Sequence, residues 1–180
     1  MIGANGYPKL YTFHSGNSGA SWSETAFADD PPDAVVASSF ASATDGWMSI
    51  LRTPKSGQSP AFTTLYTLDA ARRAWCSTFT LPKNVAVQGM ARVGAKDGWL
   101  VALNPFSSIQ QHLVVYRTVD GGRTWVSFTG RATANVFPPP GLANNFVLSF
   151  VNARDGWLLT GEGLLRTTNG GQNWQPAVVS

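Results

Sequence analysis

Four tryptophans, Trp22, Trp75, Trp125 and Trp174, recur at separations of 53, 50 and 49 residues. Three of them close one short phrase: Ser15-Gly-Asn17-Ser-Gly19-Ala-Ser21-Trp22, Thr118-Val-Asp120-Gly-Gly122-Arg-Thr124-Trp125 and Thr167-Thr-Asn169-Gly-Gly171-Gln-Asn173-Trp174. A fixed period near fifty residues belongs to repeat architectures, in which each unit buries its apolar face only against a neighbour. The most conspicuous aromatic side chains are therefore expected in the scaffold rather than in a site.

A second phrase interleaves with the first. Asp45-Gly46-Trp47, Asp97-Gly98-Trp99 and Asp155-Gly156-Trp157 each lie between two apolar runs, as in Val85-Ala-Val-Gln-Gly-Met90 before and Trp99-Leu-Val-Ala-Leu103 after. Apolar run, Asp-Gly, apolar run is a hairpin signal, because glycine accepts the positive φ of a tight turn and aspartate bonds to turn backbone. The tryptophan-closing phrase is flanked in the same way, by His112-Leu-Val-Val-Tyr-Arg117 and Thr124-Trp-Val-Ser-Phe128. One unit thus holds two hairpins, or four strands, in about 50 residues.

The units divide the chain into a half-unit, 1–33, and three whole units, 34–84, 85–135 and 136–180, read as one domain. The half-unit is expected to hold strands at Leu10–Phe13 and Ser21–Glu24. Extra length falls at Thr53–Ser59 and Asn104–Gln110, where Pro, Ser and Gly suit variable loops. The proline-bearing stretches Ala26–Asp33 and Phe137–Pro140 read as connections between units.

Ser/Thr-x-Asp-x-Gly-x-Thr-Trp resembles the Asp-box, or bacterial neuraminidase repeat. Units pairing it with an upstream Gly-Trp strand are similar to β-propellers of the photosystem II assembly factor and plant stability factor group. Asp-boxes also occur in sialidases and xyloglucan-cleaving glycosidases. The resemblance spans nearly the whole chain. Thr118 to Trp125 matches in full; Ser15 to Trp22 and Thr167 to Trp174 place Asn at the Asp position, where it too can bond turn backbone. The copy around Asp69 departs from the pattern, with one residue too many before Trp75 and no glycine. The resemblance implies that the box turn joins the third and fourth strands at the outer rim of a blade, so that Asn17, Asp120 and Asn169 are structural. It also implies an extracytoplasmic or secreted location, although MIGANGYPKL has no signal-peptide pattern.

The expected fold is all-β, a partial β-propeller of four-stranded antiparallel blades with about three and a half repeats. The structural residues of the repeat are Asn17, Gly19, Trp22, Asp45, Gly46, Trp47, Trp75, Asp97, Gly98, Trp99, Asp120, Gly122, Trp125, Asp155, Gly156, Trp157, Asn169, Gly171 and Trp174. All seven tryptophans are then blade markers, expected to pack between adjacent sheets. An arc this short leaves sheet faces open. Three ways to close it are a larger propeller of which this chain is a piece, a second copy, or a small ring; because Met1 leads into mid-unit, the first is favoured.

Little chemistry is left over. Of ten acidic residues, Asp45, Asp69, Asp97, Asp120 and Asp155 belong to turns. Glycoside hydrolysis needs two carboxylates facing one bond. Asp29, Asp30 and Asp33 share a connection, and Glu24 and Glu162 lie on different units, so nothing pairs. The sialidase resemblance would require three convergent arginines and a tyrosine nucleophile with a partner glutamate. Leu51-Arg52-Thr53-Pro54 only echoes the arginine signature. Arg117 and Arg166 occupy equivalent repeat positions, and Tyr11, Tyr66 and Tyr116 precede box turns. His14 and His112 have no metal-ligand spacing. Gly121-Gly122 and Gly170-Gly171 are turn glycines rather than phosphate loops. Cys76, the one cysteine, reads as a buried inert thiol. Net charge is +3 with scattered basic residues, of which Arg72-Arg73 is the closest pair, so no nucleic-acid surface is expected. No apolar run approaches the roughly 20 residues of a membrane span.

The sequence therefore reads first as a non-catalytic propeller binding a protein or glycan partner, with no cofactor, no metal and no catalytic residue. The alternatives are a piece of an Asp-box glycoside hydrolase of sialidase or xyloglucanase type, and a half-propeller that self-associates through open blade edges.

Overall fold

A computed structural model describes residues 11–26, 34–42, 44–52, 62–69, 71, 74–104, 112–128, 146–161 and 163–177. The expected loops at Thr53–Ser59 and Asn104–Gln110, except Asn104, and the connections Phe27–Asp33 and Phe137–Pro140 lie outside the described residues. So do Tyr7, Arg72, Arg73 and Glu162.

The described chain is all-β. A hairpin of β1 (Tyr11–His14) and β2 (Ser23–Ala26) is followed by three four-stranded antiparallel sheets. The first comprises β3 (Ala34–Ser42), β4 (Asp45–Arg52), β5 (Phe62–Asp69) and β6 (Ala74–Thr80). The second comprises β7 (Ala86–Val93), β8 (Asp97–Asn104), β9 (His112–Thr118) and β10 (Val126–Phe128). The third comprises β11 (Val147–Phe150), β12 (Gly156–Thr160), β13 (Gly163–Thr167) and β14 (Gln175–Pro176). Every strand pairs with its neighbour in sequence, and β7, the first strand of its sheet, packs against both β3 and β11. The result is an open, propeller-like arc. Each four-stranded sheet is two successive hairpins, as expected; β2 of the half-unit starts two residues later than expected, and Leu10 lies outside the described residues.

Contrary to expectation, the glycines of the Asp-Gly pairs are strand rather than turn residues, although Asp155 still closes its turn, accepting from Val151 N at its carbonyl and from Asn152 Nδ2 at its carboxylate. Each turn lies just upstream, and Asp45 and Asp97 are already paired, with Ser42 and Val93. Gly46, Gly98 and Gly156 are strand residues and lack a positive φ. Glycine is required there for space. The cross-strand partners of Gly46, Gly98 and Gly156 are Phe40, Arg92 and Phe150. A Cβ on Gly46 would stand 2.5 Å from the Phe40 ring, one on Gly156 2.6 Å from Phe150, and one on Gly98 would enter the ring of Trp47 from the first sheet. Gly156→Ala should therefore lower stability by about 1–3 kcal/mol, the usual effect of overpacking. Phe150 cannot yield easily, because its ring is stacked on Trp99. Urea denaturation of this variant reads the effect; an unchanged midpoint would remove the steric reading.

The following tryptophans join the sheets. Trp47 lies under the guanidinium of Arg92 on β7, 3.9 Å from ring centre to Cζ, and meets Trp125, which immediately precedes β10, edge-on at 5.3 Å. Trp99 is fully buried, stacks on Phe150 of the third sheet at 3.7 Å, and donates from Nε1 to the Gly170 carbonyl at 2.9 Å. Two apolar clusters fill the gaps. One, between the first and second sheets, holds Trp47, Leu65, Val87, Leu100 and Tyr116. The other, between the second and third, holds Trp99, Val101, Val115, Leu158, Leu165 and Trp174. Trp75 donates from Nε1 to Thr12 Oγ1 at 3.3 Å, which ties the N-terminal hairpin to the first sheet.

Trp22 departs from the expected pattern. It is 63% exposed, because no sheet precedes the hairpin among the described residues. Cys76 is half-buried on β6 rather than buried, since β6 is an edge strand. No helix among the described residues is long and apolar enough to cross a membrane.

Candidate functional site

The three glycine-bearing turns share one geometry, built from a hydroxyl and a side-chain carbonyl or carboxylate. Thr118 Oγ1 accepts from the backbone N–H of Gly122 at 3.0 Å, as Thr167 does from Gly171 at 3.0 Å and Ser15 from Gly19 at 2.7 Å. Asp120 Oδ1 accepts from the N–H of Arg123 and of Thr124, both at 3.0 Å. Asn169 accepts from Asn173 N at 3.0 Å, and Asn17 from Ser21 N at 2.8 Å. These bonds hold two successive residues at positive φ: Gly121 and Gly122 at 78° and 90°, Gly170 and Gly171 at 72° and 88°, Ser18 and Gly19 at 56° and 90°. The closing tryptophan returns its indole N–H to the second of these, Trp125 to Gly122 O and Trp174 to Gly171 O, both at 3.1 Å. Each turn joins the third and fourth strands of its sheet; that of the N-terminal hairpin joins β1 and β2. The turn after Asp69 differs: Asp69 pairs with Ala74, and its Oδ1 accepts from Ala71 N at 3.0 Å.

Hydrogen bonds from Thr124, through its hydroxyl and then its backbone N–H, and from the Thr118 hydroxyl hold the Asp120 carboxyl far below its ordinary value of 3.8. In the unfolded chain Asp120 takes up a proton as the pH falls through about 3.8, while the folded carboxylate does not. Its contribution is therefore complete above that pH and is lost in more acid solution, down through the folded value. Asp120→Asn, the residue of the sister turns, should fold and should show a shallower loss of thermal stability below pH 4 than the parent, roughly where a free Asp titrates. Identical acid slopes would contradict this.

The Asp-Gly-Trp carboxylates meet arginines. Asp97 pairs with Arg117 at 3.2 Å and Asp155 with Arg166 at 3.5 Å, each within its own sheet. In the first sheet the equivalent of these arginines is Thr67, opposite Trp47. Asp45 instead accepts both terminal nitrogens of Arg92 from the second sheet, with Nη2 to Oδ2 at 2.9 Å. Arg92 was not among the expected repeat residues. The signal in the sequence is the missing arginine at position 67, which leaves Asp45 to find a partner elsewhere.

Among the described residues the arrangement assembles no acid pair. Asp45, Asp97, Asp120 and Asp155 are engaged as above, and Glu24 stands exposed on β2. Asp29, Asp30, Asp33 and Glu162 lie outside the described residues. Arg117 and Arg166 are held by carboxylates of their own sheets. Tyr116 is buried in the cluster between the first two sheets, and burial raises its pKa. Tyr66 receives a hydrogen bond from Arg52 at 3.3 Å. Among the described residues no three His, Cys, Asp or Glu come together in a way that could hold a metal ion. A cleft of about 350 Å³ opens at the rim between the first and second sheets, lined by Thr67, Thr78, Ala95, Lys96, Asp120, Gly121 and Arg123. Its exposed lining is mostly apolar, its two threonine hydroxyls lie within hydrogen-bond distance of each other, and Asp120 is the single carboxylate among its lining residues.

No protein-family model matches the chain, and no curated protein matches it. Among solved structures it is similar to the GH74 xyloglucanase from Xanthomonas campestris, with a TM-score of 0.51 and 13% identity. The match covers 95% of this chain and 28% of the xyloglucanase, so the chain spans little more than a quarter of that protein's length. The likeness establishes a propeller-like all-β fold.

Proposed function

We propose that the chain is an arc of a glycoside-hydrolase-type β-propeller that handles xyloglucan or a related glycan. The observation that carries this reading is the match of nearly the whole arc to a xyloglucanase. Any hydrolytic acid pair would come from residues beyond those described, because the described carboxylates other than Glu24 are engaged in turns and ion pairs. We further infer that the three turns closed by Trp22, Trp125 and Trp174 are Asp-boxes, that the repeat's Asp, Asn, Gly and Trp residues serve the scaffold, and that the units 34–84, 85–135 and 136–180 are blades. A polysaccharide substrate agrees with a location outside the cytoplasm.

A second reading, a non-catalytic module that only binds its partner, is favoured by that engagement of the described carboxylates. Incubation with xyloglucan separates the two. New reducing ends support the hydrolase. Retardation in xyloglucan-containing native gels without new reducing ends supports the binding module. Neither effect would end the glycan reading.

A further inference from the structure

The two ends of the arc carry the two halves of an interface that the molecule already makes twice. At each internal junction the Asp-Gly-Trp tryptophan of one sheet is capped by the glycine turn of the next. Positions for a Cβ on Gly122 and Gly171 lie 3.3 and 3.4 Å from Trp47 and Trp99 of the preceding sheet. At the N-terminal hairpin the same turn forms, with the same hydroxyl and side-chain carbonyl bonds and two positive φ values but without the indole bond, and no tryptophan of another sheet lies against it among the described residues. Among the described residues, the only heavy atom within 4 Å of a Cβ position on Gly19 belongs to Trp22, at 3.9 Å. Trp22 is 63% and Phe13 60% exposed, whereas their equivalents Trp174 and Tyr116 are 2% and 6% exposed.

The other end is the converse. Trp157, the equivalent of Trp47 and Trp99, is only half-buried, and Arg166 leans over it with Cζ 5.9 Å from the ring. Around it Leu159, Val147 and Val151 are exposed, while Val101, the equivalent of Leu159, is fully buried beneath the third sheet. This face carries the tryptophan that the N-terminal turn is shaped to cap.

We propose that a second copy of this chain docks head-to-tail on the arc, its Ser15–Trp22 turn seated on Trp157 of the first copy. The Trp157 indole N–H would donate to the carbonyl of Ser18, which stands where Gly170 accepts from Trp99, a bond made at the junction of the second and third sheets and not by Trp47 at the other. Phe13 and Trp22 would cover Leu159 and Val147. Such an interface is heterologous: two different surfaces meet, and the copies form a closed ring or an open chain.

The test is the mass of the 180-residue chain in sedimentation velocity as concentration rises, with Trp22→Ala and Trp157→Ala as variants. Both substitutions fall on solvent-accessible rings, and far-UV circular dichroism checks that each variant folds. The parent should rise above the single-chain mass of 19.2 kDa, and each variant should remain at it. An equimolar mixture of the two variants keeps one intact pairing, the Trp22 turn of one with the Trp157 face of the other. It should form a pair of one copy each and grow no further. A parent that stays at single-chain mass at its solubility limit overturns the proposal. So does association that survives either substitution, or a mixture that fails to pair.

Discussion

Trp99→Ala should destabilise the protein by about 3–5 kcal/mol, the range for emptying a buried tryptophan site. The indole is fully buried, stacks on Phe150 and satisfies the carbonyl of Gly170. Removing it opens a cavity between the second and third sheets and leaves that carbonyl without its donor. The site cannot collapse readily, because Val101, Val115 and Leu158 are fixed in strands on both sides. Trp99→Phe should recover part of the loss, since a ring remains to face Phe150 but the N–H does not. Trp22→Ala, measured at a concentration where the chain is monomeric, should change stability by no more than about 0.5 kcal/mol, as for other exposed positions. Urea titrations of these variants check the order. A Trp99→Ala effect as small as that of Trp22→Ala would mean that the sheets do not lock through this ring.

Asp45→Ala should cost about 3–5 kcal/mol, although it removes a residue that is itself partly exposed. The loss comes from the partner. The Arg92 side chain is 2% exposed, lies over Trp47, and receives its balancing charge from Asp45. Without that carboxylate a cation is left buried and unpaired between two sheets. Asp45→Ala combined with Arg92→Met should be markedly more stable than Asp45→Ala alone, because an apolar chain of similar length needs no counter-charge. Asp155→Ala is the control. Its partner Arg166 is half exposed, with 52% of its side chain accessible, so the pair should contribute about 1 kcal/mol or less. Equal effects of the two aspartate substitutions would contradict the role given to burial.

These contrasts show where the sequence is legible. Strand pairing and turns are local, so the period of the tryptophans and the hydroxyl–carboxylate–glycine phrase predict the hairpins and the conformation of the turns. The positive φ of Gly122 and Gly171 follows directly from the phrase that contains them. What stands opposite a residue on the next sheet is not local. The glycine of Asp-Gly-Trp reads as a turn residue until the rings of Phe40, Trp47 and Phe150 are seen in the space a side chain would need. Arg92 is equally hidden, because its partner lies 47 residues away and the two share no repeat position. Trp22 obeys the repeat in its turn but not in its burial, since burial depends on a neighbour that the described residues do not supply. The candidate site is the least legible part: the sequence assigns the aspartates to turns, and the structure gives Asp45 and Asp97 to arginines on the strands and Asp155 both to its turn and to Arg166.

The most direct measurement is a double-mutant cycle on Trp99 and Phe150, which lie on different sheets and touch only if consecutive repeats stack as described. Trp99→Ala, Phe150→Ala and the double variant should show a coupling of about 0.5–1.5 kcal/mol, the range for a paired aromatic contact. Strict additivity of the two losses would contradict the interlocked arc.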